Sequence, residues 1–160
     1  AQSGDDTQVR QEYLKKALLE YNIAVQTKPD DIYSIIKLGR IYDELKEDKL
    51  AKSYFSRAIN IDYKNSDANH YFADFYYERK DYRKAIKYYR KSFEYGQKED
   101  FKTLSKMGEI YEKFGDIKRA GICYKRAFLL NPSNEDIPDK IREIEEINTN
   151  QIEYYKEKNN

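Results

Sequence analysis

The chain has 160 residues with 30 basic and 29 acidic side chains, a net charge of +1. That balance removes any global electrostatic case for nucleic acid or an anionic membrane, and no apolar run approaches the roughly 18 residues that span a bilayer. Charged residues reach 37% and Leu, Ile, Val and Phe supply only about a fifth of the chain, near the mark below which charged chains stay disordered, so the 17 tyrosines must carry much of any core.

In chain order, Asp5, Asp6 or Thr7 can cap a first helix within 7–29, stopped by Pro29. Its apolar residues include Tyr13, Leu14, Ala17, Leu18, Tyr21 and Val25, and it reads as an N-terminal cap or as the remnant of a cut repeat. Helices are then predicted in pairs over 32–45 and 48–61, 66–79 and 82–95, and 101–114 and 117–130. The turns inside pairs fall at Lys46-Glu47-Asp48, Lys80-Asp81 and Gly115-Asp116. A closing helix and tail occupy 135–160, with Pro138 near the first turn of the helix, where a missing N–H costs nothing. Ile137, Ile141, Ile144 and Tyr155 give it one apolar stripe, as a capping helix requires. Ala1–Gly4 fits either a processed terminus or an appended remnant.

A period of 34 runs through these elements. Ala17, Ala51, Ala85 and Ala120 recur at steps of 34, 34 and 35, and Tyr21, Phe55, Tyr89 and Tyr124 keep the same steps, as do Ala24, Ala58, Ser92 and Ala127. Tyr42, Tyr76 and Tyr111 recur in the preceding helices, just after Leu38-Gly39, Phe72-Ala73 and Met107-Gly108. The one extra residue falls in the polar stretch 96–100. Small residues at such positions let two helices approach closely, and large aromatics fill the hollow between them.

Ile35-x2-Leu38-Gly39-x2-Tyr42…Ala51-x3-Phe55 and Leu104-x2-Met107-Gly108-x2-Tyr111…Ala120-x3-Tyr124…Pro132 resemble the tetratricopeptide repeat, a helix–turn–helix unit of 34 residues. The middle unit, with Asn69 in place of a bulky apolar residue and Ser92 for the last small one, is looser. The resemblance covers roughly residues 9–134. It implies an all-α, right-handed superhelical α-solenoid of antiparallel helix pairs: repeats at 32–65, 66–100 and 101–134, a partial repeat before them and a capping helix after, in a single array over 1–160.

No catalytic constellation, cofactor motif or metal cluster stands out. His70 shares a helix face with Asp67 and Asp74, which reads as a solvated polar face rather than a metal or pH-responsive site. Cys123 has no candidate base near it in sequence and reads as a buried structural thiol. The basic segment 79–91 (Arg79, Lys80, Arg83, Lys84, Lys87, Arg90 and Lys91), interleaved with Tyr82, Tyr88 and Tyr89, could serve an RNA-associated scaffold. The competing reading is a solvated helix face offset by the acidic run 135–146.

The family resemblance places function in a concave groove lined by first helices. The register assigns to it Tyr33, Ile36, Arg40 and Asp43, then Asp67, His70, Asp74 and Tyr77, then Lys102, Ser105, Glu109 and Glu112. That set is mildly acidic with aromatic anchors. The family's subclass that clamps chaperone C-terminal carboxylates is not matched, because Ile36, Arg40 and Tyr71 stand where it needs Lys and Asn, although Lys102 and Lys106 fit. The resemblance therefore implies a non-catalytic adaptor, scaffold or chaperone-like module. Its partner would be a peptide or helix carrying Lys or Arg and an apolar anchor, and a piece of a longer array is the structural alternative. Self-association through terminal helices is a further outcome open to an unclosed solenoid. A soluble, cytoplasmic chain is expected, with a processed exported form as the alternative.

Overall fold

The computed structural model describes residues 2–158, with the side chains of 8–154 and 158. The expected caps Asp5, Asp6 and Thr7 and the stripe residue Tyr155 lie outside the described side chains. Among the described residues there are eight helices and no strand: α1 (Gln2–Thr27), α2 (Ile32–Glu44), α3 (Asp48–Ile61), α4 (Ser66–Glu78), α5 (Tyr82–Glu94), α6 (Phe101–Lys113), α7 (Ile117–Leu130) and α8 (Asp136–Lys158). α1 begins at Gln2, upstream of the expected caps, and continues without a break to Thr27. The chain divides into two compact units, Ala1–Gln97 and Lys98–Asn160.

Punctuation follows side-chain chemistry. Asp31, Asn65, Asp81, Asp100 and Asp116 each accept a hydrogen bond from the backbone N–H three residues on, so five helices start on a side-chain cap. Each first helix ends the same way. Lys46, Lys80 and Gly115 take positive φ (61°, 58° and 71°), and the N–H of the next residue reaches back to the carbonyl of Tyr42, Tyr76 or Tyr111. Only the third turn uses glycine. Lys46→Gly and Lys80→Gly are each expected to raise stability by about 0.5–1 kcal/mol, because a left-handed residue with a Cβ is strained. Urea midpoints measure this, with Gly115→Ala moving the opposite way.

The second helices end differently. α3 and α7 end at Asp62 and Asn131, whose N–H groups bond the Ala58 and Ala127 carbonyls, and Asp62 is extended. α5 instead closes through Gly96 (φ 102°), with the Gln97 N–H bonded to the Ser92 carbonyl. This alternative ending accommodates the extra residue of the 35-residue step, and the boundary between the two units falls immediately after it.

Within the first unit the pairs α2–α3 and α4–α5 form the core. A Cβ on Gly39 would stand 2.9 Å from the Phe55 ring, so glycine sets how closely α2 and α3 approach. Phe55, Phe72, Phe75, Tyr76 and Tyr88 form one aromatic cluster, with Phe72–Tyr76 centroids 4.6 Å apart and Phe72–Tyr88 4.8 Å apart. Each such pair contributes about 0.5–1.5 kcal/mol beyond its buried area. Asn69, standing where an apolar residue is expected, is fully buried; its Nδ2 donates to the Tyr63 and Asn65 carbonyls, tying α4 to the turn before it.

In the second unit α6 and α7 meet where a Cβ on Gly108 would lie 2.6 Å from Tyr124, and α7 meets α8 through Gly121, close to Ile144. Ile137 and Ile144 are buried in α8. Thirty-four residues after Gly108, α8 carries Arg142. The other first helices carry Gly39, Ala73 and Gly108 at this place, so α8 departs from the small-residue pattern there.

Burial raises the pKa of Tyr54, Tyr76, Tyr88 and Tyr89 above the usual tyrosine value, chiefly through desolvation of the phenolate. A raised folded-state pKa favours the fold fully below the unfolded value near ~10 and less as pH climbs past it. The first unit is therefore expected to lose stability above about pH 10, and tyrosine ionisation followed at 295 nm should coincide with loss of helical circular dichroism.

Candidate functional site

In the first unit α1, α2 and α4 enclose a groove of about 460 Å³. α1 contributes Tyr13, Leu14, Ala17 and Tyr21, α2 contributes Lys37, Arg40, Asp43 and Glu44, and α4 contributes Tyr71, Asp74 and Glu78. Lys37, Arg40 and Glu44 lie 34 residues before Tyr71, Asp74 and Glu78, so the repeat period brings two matched stripes to one surface. Spacing of three and four residues keeps each stripe on a single helix face.

The charges here are mixed and mostly engaged. The Arg40 guanidinium lies 4.2 Å from the Tyr71 ring centroid. Asp43 pairs with Arg79 at 2.8 Å, and Glu44 accepts from Arg10 of α1 at 2.5 Å. The Tyr89 hydroxyl donates to Asp74 at 2.5 Å, and His70 Nε2 approaches the other Asp74 oxygen at 3.5 Å. Glu78 is exposed at the rim.

Of the residues assigned from sequence, Arg40, Asp43 and Asp74 line this groove. Ile36 does not: it is 6% exposed and packs with Ile35, Ala58 and Ala68. The register put it on a free face, but α1 and α4 close over that side, with Val25 and Tyr71 against the same cluster. Tyr33 is exposed and packs edge-on against Tyr21, with Lys37 Nζ 4.9 Å from its ring centroid. Tyr77 packs on Tyr82, and Asp67 sits in the first turn of α4, where a negative charge suits the helix dipole. His70 is not on a solvated face; its ring meets Tyr71 and Tyr89 edge-on, and its Nδ1 is buried without a partner.

In the second unit Lys102 is exposed and Glu109 half-buried. The Ser105 hydroxyl donates to the Phe101 carbonyl. Glu112 accepts from the Tyr124 hydroxyl at 2.6 Å and faces Lys140 at 3.6 Å, so it serves packing first.

Sequence reasoning missed Tyr13, Leu14, Lys37, Glu44, Tyr71 and Glu78. The signal was available: each first-helix residue among them lies three or four positions from Arg40 or Asp74, and the two sets differ by one period.

The basic segment is largely spent on local partners. Arg79 pairs with Asp43 and Asp48, donates to the Phe75 carbonyl and lies 3.7 Å from the Phe75 ring centroid. Lys84 pairs with Asp81 at 2.6 Å, and Lys87 and Lys91 lie over Tyr88. Cys123 is buried, which pushes its thiol up to about 11. Among the described residues no group of three or more His, Cys, Asp or Glu side chains is placed to hold a metal, and no helix is long and apolar enough to cross a membrane.

The family model described as "Tetratricopeptide repeat" matches residues 32–65, 67–96 and 101–134. The chain belongs to the tetratricopeptide repeat family. Its fold is that family's helical repeat, as the solved structures it resembles also show. It aligns with the structure of YrrB, titled a TPR protein with an unusual peptide-binding site, at a TM-score of 0.70 and 18% identity, covering 76% of this chain and 62% of that one. It aligns with MamA at a TM-score of 0.72 and 15% identity, covering 90% and 84%. The TPR repeat-containing protein MJ1428 of Methanocaldococcus jannaschii is 33% identical over 144 residues, which are 90% of this chain and 25% of the relative. The RANBP2-like and GRIP domain-containing protein 8 of Homo sapiens is 38% identical over 74 residues, 46% of this chain and 4% of that protein. The chain thus spans about a quarter of the length of MJ1428 and a far smaller share of the human protein. Tetratricopeptide repeats are protein-interaction modules, generally without catalytic activity.

Proposed function

We propose that this chain is a non-catalytic adaptor that holds a segment of a partner protein in the groove between α1, α2 and α4. The observation that carries this is the pair of stripes Lys37–Arg40–Glu44 and Tyr71–Asp74–Glu78, one period apart and open to the same groove. Packing does not require an exposed charge at Glu78 or an exposed ring at Tyr13, which is 71% exposed. The partner segment carries an apolar anchor for Tyr13, Leu14 and Tyr21, and a Lys or Arg for Glu78. A peptide-binding site on YrrB, which shares the fold, is in keeping with this use.

The test is capture of partners from a native lysate by the intact chain and by Glu78→Lys and Tyr13→Ala variants. Each substitution is expected to weaken the captured partner about tenfold, roughly 1.4 kcal/mol, and added salt should weaken it further. A partner retained equally by all three proteins would show that the groove is not the binding surface.

A further inference from the structure

Two solvent-facing helix faces carry charges of opposite sign at the same spacing. On α5, Arg83, Lys87 and Arg90 each stand two residues before the buried Ala85, Tyr89 and Ser92. Two residues are about 200° of helix rotation, so the three cations lie on the side away from the first unit's core. On α8, Asp139, Glu143 and Glu146 each stand two residues after Ile137, Ile141 and Ile144, of which Ile137 and Ile144 are buried. The same rotation turns these carboxylates away from the second unit's core. Both sets step by four residues and then three, so each ladder runs about 10 Å along its helix.

Partners within each unit leave both ladders largely open. Lys84 is held by Asp81, but Arg83, Lys87 and Arg90 are exposed, and among the described residues no carboxylate pairs with them. The α8 ladder meets two local cations. Lys140 lies 3.2 Å from Glu143 but also reaches Glu112 of α6 at 3.6 Å, and Arg142 pairs with Asp139 through side chains 73% and 65% exposed. Pairs so exposed hold weakly. Glu146 is exposed, and no cation pairs with it among the described residues.

The tyrosines of the basic segment are turned inward. Tyr89 is buried, Tyr88 stacks on Tyr76 with centroids 5.8 Å apart, and Tyr82 packs on Tyr77. The α5 face therefore offers charge without the aromatic platforms on which single-stranded nucleic acid stacks. An acidic protein surface of matching step fits it, and the chain itself carries one.

We infer that the α5 ladder of one copy docks on the α8 ladder of a second copy, with Arg83, Lys87 and Arg90 facing Asp139, Glu143 and Glu146. The contact joins two different surfaces, so a pair of copies keeps one ladder of each sign free, and association continues unless the copies close into a ring. It is ionic throughout, so it is weak and screened by salt. It uses neither the groove nor Glu78.

The test is sedimentation equilibrium of the intact chain up to about 1 mM, at about 0.01 M and about 1 M salt, where charges act over about 30 and 3 Å. Mean mass is expected to rise with concentration at low salt and to stay that of a monomer at high salt. Arg83→Glu/Lys87→Glu/Arg90→Glu and Asp139→Lys/Glu143→Lys/Glu146→Lys should each weaken association about tenfold or more, with helical circular dichroism intact. The protein carrying all six changes keeps the net charge of +1 and should associate like the intact chain. Lys15→Glu/Lys16→Glu/Lys49→Glu alters net charge as the α5 variant does and should leave association unchanged. Equal loss in that control overturns the inference, because net charge and not the ladder would then be the cause. A monomer at every concentration and salt also overturns it, as does association that survives both triple changes or that the protein with all six changes fails to recover. A monomeric chain that retains a single-stranded RNA oligonucleotide through Arg83, Lys87 and Arg90 would give the α5 face to nucleic acid instead.

Discussion

Gly108→Leu is expected to unfold the α6–α7 pair. A Cβ at this position meets three atoms of the Tyr124 ring, at 2.6, 2.8 and 2.9 Å. The ring cannot swing aside cheaply, because its hydroxyl is bonded to Glu112 and the residue is 1% exposed. Overpacking of this kind costs about 1–3 kcal/mol or more, and a unit of about 60 residues has only about 3–9 kcal/mol in total. Helical circular dichroism should fall. The Cys123 thiol, with its pKa pushed up to about 11 while the pair is closed, should become readily alkylated at pH 8. Gly39→Leu is expected to be milder, since Phe55 lacks the hydroxyl tether and the nearest approach is 2.9 Å. Slow alkylation of Cys123 in folded Gly108→Leu protein would contradict the steric account.

Tyr89→Ala should destabilise the first unit by about 3–5 kcal/mol, the cost of removing a fully buried large side chain and leaving a cavity. Tyr89→Phe should cost only about 1 kcal/mol, because Asp74, with its side chain 29% exposed, regains water when the hydroxyl leaves. The reverse exchange, Phe55→Tyr, should destabilise by about 1–2 kcal/mol. Arg40 stands in α2 where Asp74 stands in α4, and Asp43, at the place Glu112 holds in α6, is one methylene shorter and already paired with Arg79, so the new buried hydroxyl finds no ready acceptor. Urea unfolding of the three variants measures the order.

The helices were legible because the 34-residue period and the capping residues act locally and independently. Asp31, Asn65, Asp81, Asp100 and Asp116 each announce a helix within a few residues of themselves. The start of α1 was not legible, since no proline falls between Gln2 and Thr27 and Gly4 and the candidate caps are tolerated inside its first turns. The groove was read only in part. A register gives the direction of a side chain but not what covers it, so Ile36 fell on the wrong side once α1 and α4 closed over it. Carboxylates misled for a related reason. Asp74 and Glu112 look like ligand contacts from sequence, and it takes the position of a tyrosine 15 or 12 residues later to show that each accepts a buried hydroxyl. Arg79 likewise reads as free basic charge until Asp43, Asp48 and the Phe75 ring are seen around it.

The hydroxyl–carboxylate bonds also set the α2–α3 pair apart from the other two. Tyr89 is matched to Asp74, Tyr124 to Glu112, and Phe55 to an α2 whose residue at the first of those places is Arg40. Joining α5 to α2 would set a buried phenol against a guanidinium, and joining α3 to α4 would leave Asp74 without its donor. Small-residue and aromatic positions alone would let any first helix accept any second helix. These contacts single out α3, which carries Phe55 in place of the tyrosine: exchanging it with α5 or α7 strands a carboxylate, whereas exchanging α5 with α7 leaves each phenol on a first helix that still carries one.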